Sequence, residues 1–375
     1  MTLGHLLTSF DAPTVQGVLA EITPAYWQST LIKVLIFAIL VPTAAMIFAV
    51  TFLFKVMAWM QSRYGPMEAG LLWRKKGGWG AGRGEMQLLA EALKWLQKED
   101  LIPDTADKVI FKLSPFIILT STFLLYAAIP SGPGAAGVGA NIPGGVFFLL
   151  AISSVSVIGV LMAGWASSNK YALLGGIRAA GQLIAYELPM VLAVVGIVIL
   201  AGSFNLNDIV AAQANFKVWF IPLPFIVAQF PLFFIFLAAV QAELTQSPFD
   251  MPVAESELVA GYQVEYSGIR FLIFFLAEFS TAFAFAAIAA TLFLGGWYLP
   301  IGLPLDSGLW YVLGPIILLT KVMIVAFLIF WARFTYPRFR EDQLQKVAWK
   351  YLIPISLAWI TVTAVCVVVW KSPVA

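Results

Sequence analysis

Histidine and cysteine each occur once in the 375 residues, as His5 and Cys366. That scarcity excludes whole classes of chemistry. An iron–sulfur cluster needs several thiolates, a zinc site usually needs three or four Cys, His or carboxylate ligands, and bis-histidine haem ligation needs a second histidine. No disulfide can close within the chain. Any redox cofactor used with this protein therefore belongs to a partner. Cys366 sits in an apolar run and reads as packing. Charge is also scarce: 11% of residues are charged, against about 25% in a soluble domain. The N-terminus lacks the basic segment and small-residue cleavage site of a signal peptide. The first basic residue is Lys33, and residues 1–30 are expected to remain on the mature protein. Nothing in the charge pattern calls for a nucleic-acid partner.

What the chain has in excess is apolar residues, 61% of the total, with a mean hydropathy of +0.90. This composition belongs to a polytopic, all-α integral membrane protein. A membrane helix needs about 20 mostly apolar residues. Eight candidate transmembrane helices fall within 31–59, 109–130, 146–166, 183–202, 218–240, 271–297, 311–332 and 352–370. Trp59, Trp165, Trp297, Trp331 and Trp370 stand at their ends, as interfacial anchoring predicts.

Basic residues choose a side. The first loop (60–108) carries Arg63, Arg74, Lys75, Lys76, Arg83, Lys94, Lys98 and Lys108. The third (167–182) carries Lys170 and Arg178, and the seventh (333–351) carries Arg333, Arg338, Arg340, Lys346 and Lys350. The opposite segments at 131–145 and 298–310 contain no base, and 203–217 contains only Lys217. The positive-inside rule places the odd-numbered loops in the cytoplasm and both termini on the outer side of the membrane. Residues 1–375 read as a single polytopic membrane domain. Within the first loop, "EMQLLAEALKWLQKED" spaces Met86, Leu89, Leu93 and Leu96 by three, four and three. This is an amphipathic helix for the membrane surface or for a docking partner. "GWGAGRG" at 78–84 follows no strand and reads as a loop rather than a nucleotide site. There is no internal repeat.

The fifth loop (241–270) breaks the charge pattern. Residues 242–268, "AELTQSPFDMPVAESELVAGYQVEYSG", hold Glu243, Asp250, Glu255, Glu257 and Glu265 and no base. Charges also interrupt the apolar spans themselves: Glu187 in "AYELP", Glu278 in "FFLAEFS" and Lys321 in "LLTKVMI". Intramembrane charges cost several kcal/mol, so they normally face a protein interior or a wet cavity. One such residue could simply fix helix packing. Carboxylates gathered in the cytoplasmic half and continuing into an acidic loop point instead to a proton-conducting or charge-responsive path.

These segments closely resemble the H-type membrane subunit of respiratory complex I, the proton-pumping NADH:quinone oxidoreductase. The fifth loop is similar to the family pattern ETNRxPFDLPEAExELVAGYxxEYSG. "AGWASSNKYALLGGIRAAGQLIAYE" (163–187), "RFTYPRFREDQLQKVAWK" (333–350), "QSRYGP" (61–66) and "QLLAEALKWLQKED" (87–100) resemble its third, seventh and first loops. The resemblance implies a membrane subunit that joins the membrane arm to the hydrophilic arm. It binds no cofactor of its own, and quinone is the substrate. Iron–sulfur clusters and FMN belong to partner subunits, and antiporter-like subunits respond to the quinone chemistry. It further implies a coupling path through Glu187, Glu243, Asp250, Glu255, Glu257, Glu278, Lys321 and Glu91. The quinone chamber and loop junction would involve Gln61, Arg63, Arg178, Phe249, Arg338 and Arg340. Catalytic residues and metal ligands are expected to lie elsewhere in the complex.

Four family charges are missing. Leu53 and Phe54 replace Glu and Arg, Gln246 replaces Arg and Val253 replaces Glu. Glu91 stands for an Asp, and the first loop carries an insertion of about ten residues near "LLWRKKGGWGA". The losses balance in sign, which permits compensation, with positions 246 and 253 expected as a pair. Two other readings compete: the homologous membrane subunit of an energy-converting hydrogenase or formate hydrogenlyase, and a stand-alone ion transporter. The intact "YPRFREDQL" favours complex I over the former, and the specific loop motifs argue against the latter.

Overall fold

The structure, a computed structural model, describes residues 54–67, 87–132, 142–218, 221–299 and 309–369. Among these the chain is helical apart from turns and one minimal hairpin. The helices are α1 (Gln87–Gln97), α2 (Lys108–Ala127), α3 (Gly145–Ala166), α4 (Lys170–Ala201) and α5 (Leu206–Asn215). They continue with α6 (Phe230–Glu243), the single turn α7 (Glu255–Leu258), α8 (Gly268–Phe293) and α9 (Trp310–Thr335). The last two are α10 (Glu341–Lys346) and α11 (Ile353–Val369). Strands β1 (Lys217–Val218) and β2 (Ile221–Pro222) form an antiparallel pair.

Six helices among the described residues are long and apolar enough to cross a membrane: α2, α3, α4, α8, α9 and the continuous segment Glu341–Val369. The protein is thus a multi-pass membrane protein. The first expected span, 31–59, lies outside the described residues except for a helical stretch at 54–60.

Three elements differ from the sequence-based expectation. The fifth span, expected over 218–240, is a 14-residue helix that begins only at Phe230. Its upstream part is the hairpin and a turn, because Pro222 and Pro224 supply no amide donor and disfavour helix in the residue before them. Pro231 sits where proline is tolerated, in the first helical turn. The third loop is mostly helix: α4 runs unbroken for 32 residues from its N-cap, Asn169, whose side chain accepts from the Tyr171 amide. Lys170 and Arg178 suggested a loop, but the stretch between them contains no proline to stop a helix. The chain from Glu341 to Val369 passes through a π-helical segment at Val347–Leu352, which no periodicity in the sequence announced.

The core lies where α4, α6, α8 and α9 meet, with Phe236, Phe279, Phe293 and Phe330 all essentially inaccessible. Alanines carry much of α8: Ala282, Ala284, Ala286, Ala289 and Ala290 are buried, and such small side chains let helices approach closely. Large apolar side chains such as Ile184, Phe234, Val312 and Val368 are open to the outside, as a hydrocarbon solvent permits.

The first-loop helix forms as expected, but with a different inner face. Trp95 packs on Phe271 of α8 with ring centroids 4.7 Å apart, while Leu93 and Leu96 stay more than half exposed. Leu93 and Leu96 are therefore turned away from the rest of this chain, and Met86 and the Leu89 side chain lie outside the described residues.

Candidate functional site

Where the cytoplasmic end of the bundle was expected, α2, α3, α4, α6 and α8 line a cavity of about 60 Å³. A cavity of that size has room for several waters. Glu243, the last residue of α6, and Glu278, in the middle of α8, both line it. Ser121, Ser153, Ser156, Thr281 and Tyr262 add hydroxyls to its wall. Glu187 of α4 stands beside Ser154 and within electrostatic reach of Glu243. Two carboxylates thus share one polar space, and a third, Glu187, acts electrostatically on one of them.

Each acid is held differently. Oε2 of Glu243 is buried and accepts no hydrogen bond. Glu278 receives two donors on one oxygen: Gln246 Nε2 at 3.1 Å and an Arg333 guanidinium nitrogen at 3.3 Å, both to Oε1. Arg333 also lies over the Phe279 ring. The fifth loop is tied beneath the cavity by Gln182, whose buried amide donates to the carbonyls of Ala242 and Phe249, each at 2.7 Å. Tyr262 is pushed up from its ordinary value by burial, with the charge of Glu278 adding to the effect. It is therefore a neutral hydrogen-bonding group at physiological pH. Burial likewise pushes Tyr266 up to about 12, and its hydroxyl donates to the Phe111 carbonyl at 3.2 Å.

Next to this cavity, an apolar groove of about 430 Å³ opens between α6, α9 and the fifth and seventh loops. Phe234, Gln241, Phe249, Trp331, Tyr336 and Phe339 line it, among others. The Phe249 ring packs between those of Tyr186 and Phe339, at 5.1 and 5.5 Å.

The loops are joined by charge. Glu257 bridges the α4 surface and the seventh loop, with Arg178 at 2.7 Å on one oxygen and Arg338 at 2.5 Å on the other. Arg178 also reaches Glu341 at 3.6 Å. The hydrogen bond from Arg178, reinforced by the charges of Arg338 and Arg178, holds the Glu257 carboxyl below the usual carboxylate range. On the other flank Arg270 pairs with Asp100 at 3.1 Å, and Asn169 donates to Glu265 at 2.6 Å.

Several expected site residues stand apart from the cavity. Lys321 points to the opposite end of α8, where its Nζ donates to the carbonyls of Leu294, Gly296 and Tyr298 at 2.6–2.8 Å. It caps a helix terminus. Glu91 lies in α1, where it accepts from Gln87 at 3.1 Å. Arg63 donates to Gln61 at 2.7 Å on an exposed surface. Arg340 forks onto Asp342 at 2.6 and 3.0 Å, which holds the Asp342 carboxyl at about 2. Asp250 follows the groove residue Phe249 and acts electrostatically on Glu278 and Tyr262. Glu255 opens α7.

The expected pairing of positions 246 and 253 is not the contact formed. Gln246 meets Glu278, whereas Val253 packs against an apolar cluster that includes Phe111 and Tyr262. A neutral amide has no need of an opposite charge at 253, so the partner is set by how the fifth loop folds under α8. Leu53 lies outside the described residues, and Phe54 packs against the main core.

Arg333, Gln182, Tyr262 and the cavity's serines and threonines are site residues that the sequence pattern did not single out. Ser153 and Ser156, three apart within an apolar span, are a usable signal; Gln182 and Arg333 look like ordinary loop polarity. Among the described residues no group of three or more His, Cys, Asp or Glu side chains could hold a metal ion.

Comparison with known proteins gives this arrangement its context. Residues 32–364 match the family described as NADH dehydrogenase. The chain is 46% identical over 311 residues to the H subunit of the NADH-quinone oxidoreductase of Anoxybacillus flavithermus, covering 83% of this chain and 86% of the relative. It is 44% identical over 320 residues to the protein of the same name from Brevibacillus brevis, covering 85% and 88%. With its namesake from Dehalococcoides mccartyi it shares 44% over 281 residues, covering 75% and 74%. With residues 32–364 matched and relatives of 44–46% identity covered over most of their length, the chain belongs to the NADH dehydrogenase family.

Proposed function

We propose that this chain is the H-type membrane subunit of a proton-translocating NADH:quinone oxidoreductase in a bacterial plasma membrane. It spans the membrane eight times with both termini outside. The apolar groove at Phe249, Tyr336 and Phe339 forms part of the quinone chamber. Aromatic and aliphatic walls suit a quinone ring and isoprenoid tail, and concave apolar sites of this size are where such ligands bind. The acidic cavity begins the path that couples quinone reduction to proton movement. FMN and iron–sulfur clusters sit in hydrophilic partner subunits that dock on the loop face, and antiporter-like subunits lie beyond.

One observation carries this reading: Glu243 and Glu278 share a buried, hydroxyl-walled cavity while the loop between them also lines the aromatic groove. Quinone chemistry in the groove changes charge a few residues from the cavity acids, so the two events are electrostatically linked. Asp250, Glu255 and Glu257 form the acidic entry on the loop side.

The test is Glu278→Gln in the assembled complex. Quinone reductase activity coupled to pumping should fall steeply while the complex still assembles. Pumping at the wild-type rate would overturn the coupling role. Mass spectrometry of the co-purified subunits tests the assembly: flavin- and cluster-bearing subunits support the proposal, and a nickel–iron large subunit overturns it.

A further inference from the structure

We infer that Gln246 is a positioning residue that partners Glu278 in both of its protonation states. The inference rests on the proposal that Glu278 exchanges a proton. Gln246 is only 2% exposed, so its amide depends on protein groups or trapped water. Nε2 donates to Glu278 Oε1 at 3.1 Å, while the amide's own Oε1 is buried and accepts nothing. The second donor to Glu278, Arg333, reaches the same carboxylate oxygen at 3.3 Å.

These two partners are not equivalent. A guanidinium only donates, so Arg333 serves the carboxylate and offers nothing to a carboxylic acid's O–H. A glutamine amide has a donor end and an acceptor end that exchange places by a half-turn of the terminal torsion. With Glu278 ionised, Nε2 faces it. With Glu278 protonated, the turned amide presents Oε1, and the acid's O–H donates to it. The acceptor left without a partner in the present geometry is the atom the second state requires.

The other charged or titratable groups facing Glu278 are Arg333 from α9, Asp250 from the fifth loop, Tyr262 from the turn before α8, and Glu243 across the cavity. None of them is altered by a substitution at 246. A fixed cation there serves one protonation state, and an alkyl group serves neither.

The experiment is carried out on the whole complex. Infrared difference spectra are recorded against pH in wild type, Gln246→Asn, Gln246→Arg and Gln246→Leu, with the Glu278 carboxyl band identified by its loss in Glu278→Gln. In wild type with isotope-labelled glutamine side chains, a glutamine amide band should move together with that carboxyl band, and should be still in Glu278→Gln. Gln246→Arg should move the pH profile of pumping toward acid by about one unit or more, the size expected from a new guanidinium beside a carboxylate. Gln246→Leu should shift the carboxyl band to that of an acid without a partner. An unmoving glutamine band in wild type overturns the inference even if no variant assembles. So do Arg and Leu variants whose bands and profiles coincide with wild type. Undiminished pumping in Glu278→Gln would instead defeat the coupling proposal, which keeps the two failures distinct.

Discussion

Arg178 and Glu257 meet at 2.7 Å, joining the first turns of α4 to the single helical turn of the fifth loop. Arg338 holds the other oxygen of the same carboxylate, so one acid fastens three segments far apart in sequence. All three side chains are partly exposed, at 25–47%. The pairs therefore act in high dielectric, where each contributes about 0.2–1 kcal/mol. Arg338→Lys keeps the charge but loses the planar fork that suits a carboxylate. It should lower thermal stability only slightly, and a double-mutant cycle with Glu257→Gln should show coupling within that range. A cycle with no coupling would reduce Arg338 to ordinary loop charge.

The same carboxylate sets a pH dependence. Its folded value lies below the ordinary one, so its contribution is present above the unfolded value, about pH 4.3. It is lost as pH falls through the depressed folded value. The stability difference between wild type and Glu257→Gln should therefore be constant from pH 5 to 8 and vanish only in more acid solution. Thermal melts of both proteins across that range check it, and a difference that fades near neutrality would contradict the assignment.

Gly261 cannot be replaced. Its φ is +54°, and a Cβ there would lie 1.7 Å from the Pro252 carbonyl oxygen. The strained backbone alone costs about 1–3 kcal/mol for a non-glycine residue, and the overlap with backbone adds to it. Gly175 of α4 faces the same spot, where a Cβ would be 2.7 Å from the Gly261 Cα. Gly261→Ala and Gly175→Ala should each sharply reduce the assembled complex, measured by native gel. Normal assembly of Gly261→Ala would show that the fifth loop can relax.

Lys321→Met should act on stability rather than on coupling. Three carbonyls at the end of α8 would lose their donor, and leaving buried acceptors unpaired costs about 1–3 kcal/mol. The expected result is a lower melting temperature with an unmoved pH profile of pumping. A displaced profile would return Lys321 to the proton path.

The sequence exposes the carboxylates because charge in an apolar run has few uses. Glu187, Glu243 and Glu278 are therefore legible as a group from their positions along the chain alone. Lys321 drew the same inference and belongs at the other end of the helix. Its partners are backbone carbonyls, which every residue carries and no residue type announces. Gln246 stands out in the sequence only as a missing arginine, since the fold of a loop under a helix is not written in spacing. The shortened fifth span is legible in Pro222, Pro224 and Pro231, but the total hydropathy of 218–240 masks them. The long α4 is hidden for the opposite reason: two basic residues look like a loop even where no residue stops the helix.

The length of α4 has a mechanical meaning. Thirty-two residues at 1.5 Å each make a rod of about 48 Å, well beyond the roughly 30 Å of hydrocarbon. Arg178, in the clasp, and Glu187, beside the acid cavity, ride on it about 14 Å apart, both on the N-terminal side of Pro189. Under the proposed function, a partner seated on the clasp bears on the same rod that carries Glu187. In the proposed assembly the loop clasp and the acid cavity thus share one helical element, α4.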